Sequence, residues 1–229
     1  MRPSWGYRPD MKVLLAGAHG RLGGRVLTLL LSRGHAVRAL VRTESQAEAL
    51  RDAGAETVVG DLRGDVEWAA DGCEATIFAA GARHRAGLGA IDAGGAVKVA
   101  EAAYRYEHVR FLLCSVIGPY GPQRRHGGVR NFLAAKRYSE QRLSALDMPW
   151  TILRLGRLTE LPGTGRIATA LAPGMPITLS RDDAALTLVD ALARPQLARL
   201  AIPIVDGDRA VADALDAVTP RPLPARRVS

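Results

Sequence analysis

Residues 11–42 read MKVLLAGAHGRLGGRVLTLLLSRGHAVRALVR and have the order strand, glycine turn, helix, strand. Gly17, Gly20 and Gly23 are spaced as GxxGxxG between an apolar run and an amphipathic segment that closes at Gly34. The N–H groups and positive dipole end of a helix face outward at such a turn, and glycines let a pyrophosphate approach the backbone. Three glycines are equally typical of a tight structural turn, so features elsewhere in the chain are needed to distinguish this alternative from a phosphate-binding turn.

Composition is typical of one globular domain. The chain has 229 residues, 48% hydrophobic and 24% charged, and no apolar run long enough to cross a membrane. We expect a domain over residues 11–218, a loose leader over 1–10 without a signal-peptide core, and a frayed tail over 219–229. Cys73 and Cys114 are interpreted as reduced thiols of a cytoplasmic protein.

The chain is basic, with a formal charge of +8 and a pI near 10.2. Part of the excess lies in the two ends, and the interior arginines are scattered without aromatic interleaving or a DNA-reading motif. A small ligand that carries phosphate accounts for the charge equally well. We therefore expect a small-molecule substrate or acceptor as partner, no nucleic acid and no membrane, and a monomer or homodimer.

Short apolar strands alternate with helical patterns along most of the chain. The predicted strands after the first cover residues 36–41, 57–60, 75–80, 109–115 and 150–155, and the predicted helices after the first cover 45–53, 66–70, 88–106 and 131–146. This alternation favours crossover units and a parallel sheet. The fold class is α/β, a Rossmann-type doubly wound parallel sheet with helices on both faces.

The pattern loosens after residue 155, and residues 156–218 are interpreted as a substrate and lid region. Prolines and glycines break up residues 156–176, which we expect to form a loop with one short helix. A brief strand over 177–179 follows, and Ser180 with Asp183 has the spacing of a capping box that opens a helix to residue 192. The last predicted elements are a strand over 201–205 and a helix over 210–218.

Arg42 follows the second strand, where a dinucleotide site carries an acid for NAD or a base for NADP. No Asp or Glu occurs between Val37 and Arg42. Arg42 could fork onto a 2′-phosphate, with Arg21 and Ser45 as second contacts, so the site favours NADP over NAD. A solvated charge at a strand end is the alternative for Arg42 taken alone.

Further candidates lie where the other strands end, since ligands of doubly wound sheets bind outside the carboxyl ends of the strands. Asp61 and Leu62 are placed to bracket an adenine ring, although Asp61 equally suits a helix cap or a turn. Small residues after the fourth strand allow close passage of a cofactor. The cofactor-binding candidates besides those named above are His19, Leu22, Ala79, Ala80, Gly81, Ser115 and Leu155.

Lys136 lies on the inner stripe of its predicted helix, together with Phe132, Ser139 and Leu143. A buried ammonium needs partners. Lys136 therefore either extends outward to solvent or bonds a polar group such as a ribose in the cleft.

Five segments carry a family resemblance: VLLAGAHGRLGGRV, GHAVRALVR, VVGDL, FLAAKR and WTILRLGRLTELPGTGRI. Together they resemble the atypical short-chain dehydrogenase/reductase proteins, in the branch of small NAD(P)-binding proteins described as NAD-dependent epimerase/dehydratase-like, which is also similar to biliverdin IXβ/flavin reductase. The resemblance implies NADP(H) on Gly17, Gly20, Gly23 and Arg42. It also implies a substrate pocket under the carboxyl-terminal segment.

The sequence departs from this family at positions that matter for catalysis. The acid/base Tyr, expected four residues before Lys136, is Phe132, and Val116 replaces the second Ser after the fifth strand. The resemblance gives Lys136 the role of holding the nicotinamide ribose. Leu155, Gly156 and Arg157 stand where the family has Pro-Gly-Gly, which changes the expected pocket.

Three functions follow. The first is an NADPH-dependent reductase that passes a hydride to a small acceptor, with solvent supplying the proton and with Lys136, Ser115 and Tyr120 as catalytic candidates. Tyr120 would line the pocket or donate a proton; a partly buried loop aromatic is its alternative. The second function is a non-catalytic NADP(H) sensor or binding module. The third, a sugar epimerase or dehydratase, requires the acid/base that Phe132 has replaced.

Overall fold

The computed structural model describes residues 10–81, 88–118 and 127–219. Its strands are β1 Lys12–Ala16, β2 Ala36–Val41, β3 Glu56–Val59, β4 Ala75–Phe78, β5 Arg110–Val116, β6 Trp150–Leu155, β7 Arg157–Thr159, β8 Arg166–Ala168, β9 Thr178–Ser180, β10 Leu200–Asp206 and β11 Arg209–Ala210. Its α-helices are α1 Arg21–Ser32, α2 Glu44–Asp52, α3 Ala96–Arg105, α4 Gly127–Ser144, α5 Arg181–Leu192 and α6 Val211–Asp216. A wide π-helical segment, Leu88–Gly95, runs into α3, and short 3₁₀ helices cover Glu67–Ala70 and Pro195–Leu197.

Nine strands of the described part form one sheet in the order β11-β8-β10-β6-β5-β4-β1-β2-β3. The seven strands from β10 to β3 pair in parallel, while β8 and β11 extend one edge antiparallel. The chain leaves β1 toward β2 and β3 on one side and returns to β4 and β5 on the other. This topology confirms the predicted Rossmann-type fold and places its switch point between β1 and β4.

Alternate residues of β1 supply the cores on the two faces of the sheet. Val13 and Leu15 pack into the cluster that contains the buried residues of α1 and α5, whereas Leu14 and Ala16 pack into the cluster of α3 and α4. All four side chains are fully buried. A continuous apolar run is therefore required in β1, as in any parallel strand covered on both faces.

The predicted lid helix within residues 156–176 is wrong, because this described segment contains β7 and β8 and no helix. β7 pairs with β9, and β8 pairs with β10 and β11. The Asp183 carboxylate fastens the segment by accepting from the N–H groups of Thr164 (2.9 Å) and Gly165 (2.7 Å). Long-range pairing of this kind leaves no local periodicity in the sequence.

Half of the predicted capping box is present at the start of α5. The Asp183 N–H donates to Ser180 Oγ (3.0 Å), as predicted. The Asp183 carboxylate does not return to the Ser180 N–H, which donates to Asp206 Oδ1 (3.2 Å) instead. The carboxylate accepts instead from the Ser180 hydroxyl (2.9 Å) and from the segment described above, so tertiary contacts modify the local motif.

Both cysteines are free and buried. No helix in the described residues is long and apolar enough to cross a membrane. The wide segment and α3 together span the predicted helix 88–106, and β2 and β6 have the predicted bounds.

Arg110 is a buried cation whose replacement should stabilise the protein. It is 2% exposed, and its Nη2 donates to Thr151 Oγ1 (3.1 Å) and Ala191 O (3.0 Å), while Nε and Nη1 contact no acceptor among the described residues. Burial lowers the pKa of Arg110 to about 10. We expect Arg110→Met to raise the free energy of unfolding at pH 7 by about 2 kcal/mol, measured in urea. The exposed Arg130→Met should change it little, and a less stable Arg110→Met would contradict this view.

His108 should make the fold sensitive to mild acid. Its Nε2 lies 2.9 Å from Ala70 O and its Nδ1 lies 2.9 Å from Thr76 Oγ1, so a neutral ring that donates from Nε2 and accepts at Nδ1 has both nitrogens paired. Burial lowers the pKa of His108. The unfolded chain therefore takes up a proton near pH 6.5 before the folded chain does, and stability falls as the pH decreases below that value. Urea midpoints from pH 7.5 to 5 should fall less steeply in His108→Gln, whereas the exposed His19→Gln should follow the wild type.

Candidate functional site

A cleft of about 890 Å³ lies at the carboxyl ends of the strands, across the switch point. Most residues predicted for the cofactor line it together: Gly17, His19, Gly20, Arg21, Leu22, Arg42, Asp61, Leu62, Ala79, Ala80, Gly81, Ser115, Lys136 and Leu155. Gly23 and Ser45 do not line it. Tyr120 lies outside the described residues.

The glycine turn brings backbone against backbone with no space for side chains. Gly17 has φ +94°, and a Cβ there would lie 2.6 Å from Ala80 N. A Cβ on Gly23 would lie 2.0 Å from Gly17 O, so Gly23 serves the packing of α1 on β1 rather than the cleft wall. Gly20, the N-cap residue of α1, has no side chain to cap the helix. The first N–H groups of α1 therefore remain available for an anion, which fits a pyrophosphate.

Arg42 lies exposed at the end of β2, as the sequence predicted. Its backbone N–H donates to Gln46 Oε1 (3.0 Å), and Thr43 caps α2. Gln46 lines the cleft in the place predicted for Ser45, which precedes it on α2 and points elsewhere. A helix turns by about 100° per residue, so a one-residue offset moves a side chain to another face.

Asp61 is a turn residue rather than a helix cap, since its carboxylate accepts from the Arg63 N–H (2.9 Å) and its carbonyl from the Gly64 N–H (2.8 Å), and it is also the partner of an arginine side chain that the sequence analysis missed. Arg63 binds the Asp61 carboxylate through Nε (3.0 and 3.1 Å) and Nη2 (2.5 Å). These bonds lower the pKa of Asp61 to about 2, with a smaller contribution from the charge of Arg42. Arg42 and Arg63 thus flank one carboxylate at this end of the cleft, and the local charge stays positive.

Arg21 lines the cleft, but its guanidinium pairs with Glu160 rather than extending the Arg42 site. Arg21 Nη1 lies 2.9 Å and Arg181 Nη1 lies 2.8 Å from Glu160 Oε1, and Arg25 Nη2 lies 3.2 Å from Oε2. Arg181 also lines the cleft and was not predicted. Glu160 therefore ties the segment after β7 to the first turns of α1 and α5.

Lys136 is 5% exposed and forms an ion pair with Asp92, which is fully buried. Lys136 Nζ lies 2.9 Å from Asp92 Oδ1 and 3.3 Å from Cys114 O. Of the two options left open for Lys136, bonding inward is correct. Asp92 was missed because it lies in the wide segment Leu88–Gly95, whose turns do not follow the 3.6-residue period.

Ser115 borders the cleft and donates its hydroxyl proton to Glu140, one helical turn beyond Lys136 on α4. Glu140 is 1% exposed, and its carboxylate is held by Arg154 Nη2 (2.7 Å) and Nε (3.1 Å). A carboxylate only accepts hydrogen bonds, so the single proton of Ser115 is committed. Ser115 can offer a ligand its lone pairs but cannot act as the proton donor while Glu140 is ionised.

Phe132 and Val116 border the inner end of the cleft, where the family has a tyrosine and a serine. The Phe132 ring centroid lies 5.8 Å from Lys136 Nζ, within range of a cation–π contact. These apolar groups cannot transfer a proton. They exclude water from the ammonium and leave positioning as the chemistry of this end.

The described residues that line the cleft carry more positive than negative charge. Their cationic side chains are Arg21, Arg42, Arg63, Lys136 and Arg181, and their acidic side chains are Asp61 and Asp92. Such a cleft, next to an uncapped helix start, suits a ligand with several phosphates. The fold and the cleft together define a Rossmann-type dinucleotide-binding protein.

Residues 17–195 match the NAD(P)H-binding family, and the chain belongs to that family. This match confirms the resemblance to the atypical short-chain dehydrogenase/reductase proteins.

Similar proteins cover nearly the whole chain. The uncharacterized sugar epimerase YhfK of Bacillus subtilis is 35% identical over 90% of this chain and 99% of its own. A Bacillus halodurans protein provisionally described as an NAD-dependent epimerase/dehydratase matches in structure with a TM-score of 0.86 and 28% identity, over 91% of this chain and all of that one. The oxidoreductase ylbE of Lactococcus lactis matches with a TM-score of 0.79 and 25% identity, over 91% and 96%.

Proposed function

We propose that this protein is an NADPH-dependent reductase that passes a hydride to a small acceptor without a tyrosine acid/base. One observation carries the proposal: a single cleft joins a glycine cradle for phosphate, an arginine at the end of β2, and a buried ammonium bordered by Phe132. The structurally similar Lactococcus lactis protein is described as an oxidoreductase, which supports the same class.

The residues at the two ends of the cleft would each bind a different part of the cofactor. The first N–H groups of α1 would bind the pyrophosphate, and Arg42 would bind the 2′-phosphate, with Gln46 and Arg63 beside it. An acid at the end of β2 would repel that phosphate, but the acid that lines the cleft at this end is Asp61, which Arg63 already neutralises. Lys136 would donate to the nicotinamide ribose.

Bound NADPH supplies the hydride, and the protein's part is to place the acceptor against it. Phe132, Val116 and Leu155 form an apolar wall that keeps water from the inner end of the cleft. Ser115 accepts a hydrogen bond from a donor group of the bound molecules, since its own proton is held by Glu140. The proton that completes the reduction comes from solvent. Proximity and orientation can supply the rate enhancement such a reaction needs.

The decisive experiment is NADPH oxidation, followed at saturating cofactor with a flavin, a quinone and an aldehyde as acceptors. A reductase oxidises NADPH with at least one of them, and Phe132→Tyr changes that rate only modestly because no phenol takes part. Tight NADPH binding without turnover of any acceptor would contradict the reductase and favour the second candidate, a non-catalytic NADP(H) sensor. Phe132 and the committed proton of Ser115 are the observations that favour a sensor.

The sugar epimerase named for the Bacillus subtilis relative is less well supported here. An epimerase or dehydratase must remove a proton from its sugar and return one. Phe132 cannot do so, and Ser115 donates its proton to Glu140. Incubation with nucleotide-sugars should therefore yield no epimer; formation of one would overturn the reductase proposal.

Arg42→Ala should weaken NADPH binding and leave NADH binding unchanged. A charge-assisted contact to the 2′-phosphate contributes roughly 1.5 to 3 kcal/mol, which corresponds to about a 10- to 150-fold increase in the Kd of NADPH. Fluorescence titration with both cofactors measures it. Arg51→Ala is a matched control, because Arg51 pairs with Glu44 on the exposed face of α2. Equal affinity of the wild type for NADPH and NADH would refute the role of Arg42.

A further inference from the structure

Asp92 is a fully buried carboxylate at the inner end of the cleft. Its surroundings are built to admit it: a Cβ on Gly81, across the cleft wall, would lie 3.4 Å from Asp92 Oδ1. The wide turns of Leu88–Gly95 bring the residue toward α4, where Lys136 meets it. A buried carboxylate is costly unless a cation and hydrogen bonds compensate it.

The Lys136 ammonium is fixed from three sides. Asp92 Oδ1 lies 2.9 Å and Cys114 O lies 3.3 Å from Nζ, and the Phe132 ring covers it at 5.8 Å. An ammonium has three donors. One donates to Cys114 O and the ammonium forms an ion pair with Asp92, so donor capacity remains for a ligand in the cleft.

An acidic side chain is unexpected in a cleft for a ligand with several phosphates, since it repels that ligand. The arginines that line the cleft do not have a buried carboxylate as partner. Arg63 pairs with Asp61 and Arg181 pairs with Glu160, and both acids are partly exposed. The carboxylate at Lys136 therefore has a local task. It prevents a flexible four-carbon side chain from moving toward the phosphates and holds its ammonium at the inner end.

We propose that Asp92 is a positioning residue that fixes Lys136 Nζ against the nicotinamide ribose and thereby sets the affinity for the nicotinamide half of the cofactor. This inference rests on the proposed function, because it assumes that NADPH occupies the cleft. Asp92 acts through Lys136 and does not itself touch the reacting atoms.

The test compares NADPH with adenosine 2′,5′-bisphosphate, which lacks the nicotinamide ribose. Asp92→Asn is nearly isosteric and keeps a hydrogen-bonding side chain. It should raise the Kd of NADPH about tenfold and leave the Kd of the bisphosphate within about twofold. Calorimetric titration of the full chain, with near-ultraviolet circular dichroism to establish that each variant is folded, gives both constants.

A double-mutant cycle shows whether the effect passes through Lys136. In a Lys136→Gln background, Asp92→Asn should cause no further loss of NADPH affinity, since the group it positions is gone. Asp183→Asn is the matched control: Asp183 is equally buried but binds the segment around Gly165, away from this cleft. It should lower the thermal midpoint without changing either Kd.

Three results would overturn the proposal: unchanged NADPH affinity in Asp92→Asn, equal weakening of both ligands, or a full effect of Asp92→Asn in the Lys136→Gln background. Each of these would leave the proposed function intact, provided that the wild type binds NADPH. A wild type that binds neither ligand would overturn the proposed function and this inference together.

Discussion

Gly23→Ala should destabilise the fold and strongly weaken cofactor binding. The new Cβ would lie 2.0 Å from Gly17 O and 2.7 Å from Gly17 C, far inside van der Waals contact. Both atoms belong to the backbone of the turn, so no side chain can rotate away. α1 must move off β1, at a cost of about 3 kcal/mol. Urea unfolding should show this loss, and NADPH titration of the folded fraction should show about a 100-fold weaker Kd, because the N–H groups of α1 shift with the helix.

Gly24→Ala provides the matched control one residue further along α1. A Cβ on Gly24 would lie 3.7 Å from Ala18 O, which is an ordinary contact. Alanine is favoured over glycine within a helix by about 0.8 to 1 kcal/mol, so this variant should be slightly more stable than the wild type and bind NADPH normally. Equal behaviour of the two variants would show that the close approach at Gly23 does not constrain the turn.

Arg154→Met should be the most destabilising change among the charged residues around the cleft. Glu140 is 1% exposed and accepts from Arg154 at 2.7 and 3.1 Å. Removing the guanidinium leaves the carboxylate buried with Ser115 as its remaining partner among the described residues, and breaking such a pair costs about 3 kcal/mol. The cost should appear as a lower urea midpoint at pH 7.

Two further variants separate the buried pair from helix effects. Glu140→Gln combined with Arg154→Met removes both charges and should recover most of the lost stability. Arg142→Met, on α4 near Glu140, breaks an exposed pair with Glu101 and should cost less than about 1 kcal/mol. If the double variant is no more stable than Arg154→Met, the loss comes from packing rather than from an uncompensated charge.

Hydrophobic periodicity predicted the main elements well. The largely apolar strands β1, β2 and β6 contribute residues to the buried clusters on both faces of the sheet, so burial accounts for their positions. The glycine turn between β1 and α1 was also predicted from the sequence, because its geometry depends on residues that are close together in the chain. The order of the strands in the sheet was not predicted and comes from the structure.

Residues 156–176 could not be predicted in the same way. β7 has three residues and β8 has three, and each is stabilised by pairing with strands that come later in the chain. The carboxylate of Asp183, 18 residues after Gly165, holds the connection between them. Segments this short carry no period of their own, so prolines and glycines suggested a loop.

The sequence predicted the cleft residues that follow the strands, but it did not predict the buried charged residues that the helices contribute. Residues that follow strands meet at one edge of a parallel sheet, so Arg42 and Asp61 could be assigned to a common cleft. Glu140 carried a signal that was overlooked: it lies four residues after Lys136, on the same buried stripe of α4. Arg154, a charge within an apolar strand, was the second half of that signal.

The sequence by itself determined the doubly wound sheet, the glycine cradle and the basic residue after β2, since each depends on neighbours in the chain. Only the tertiary structure decided what the buried charges do. Lys136 Nζ lies 2.9 Å from Asp92 Oδ1, and Glu140 Oε2 lies 2.7 Å from Arg154 Nη2. In each pair the two residues belong to different elements. Ion pairs across elements depend on how helices and strands pack, and no local pattern records that packing.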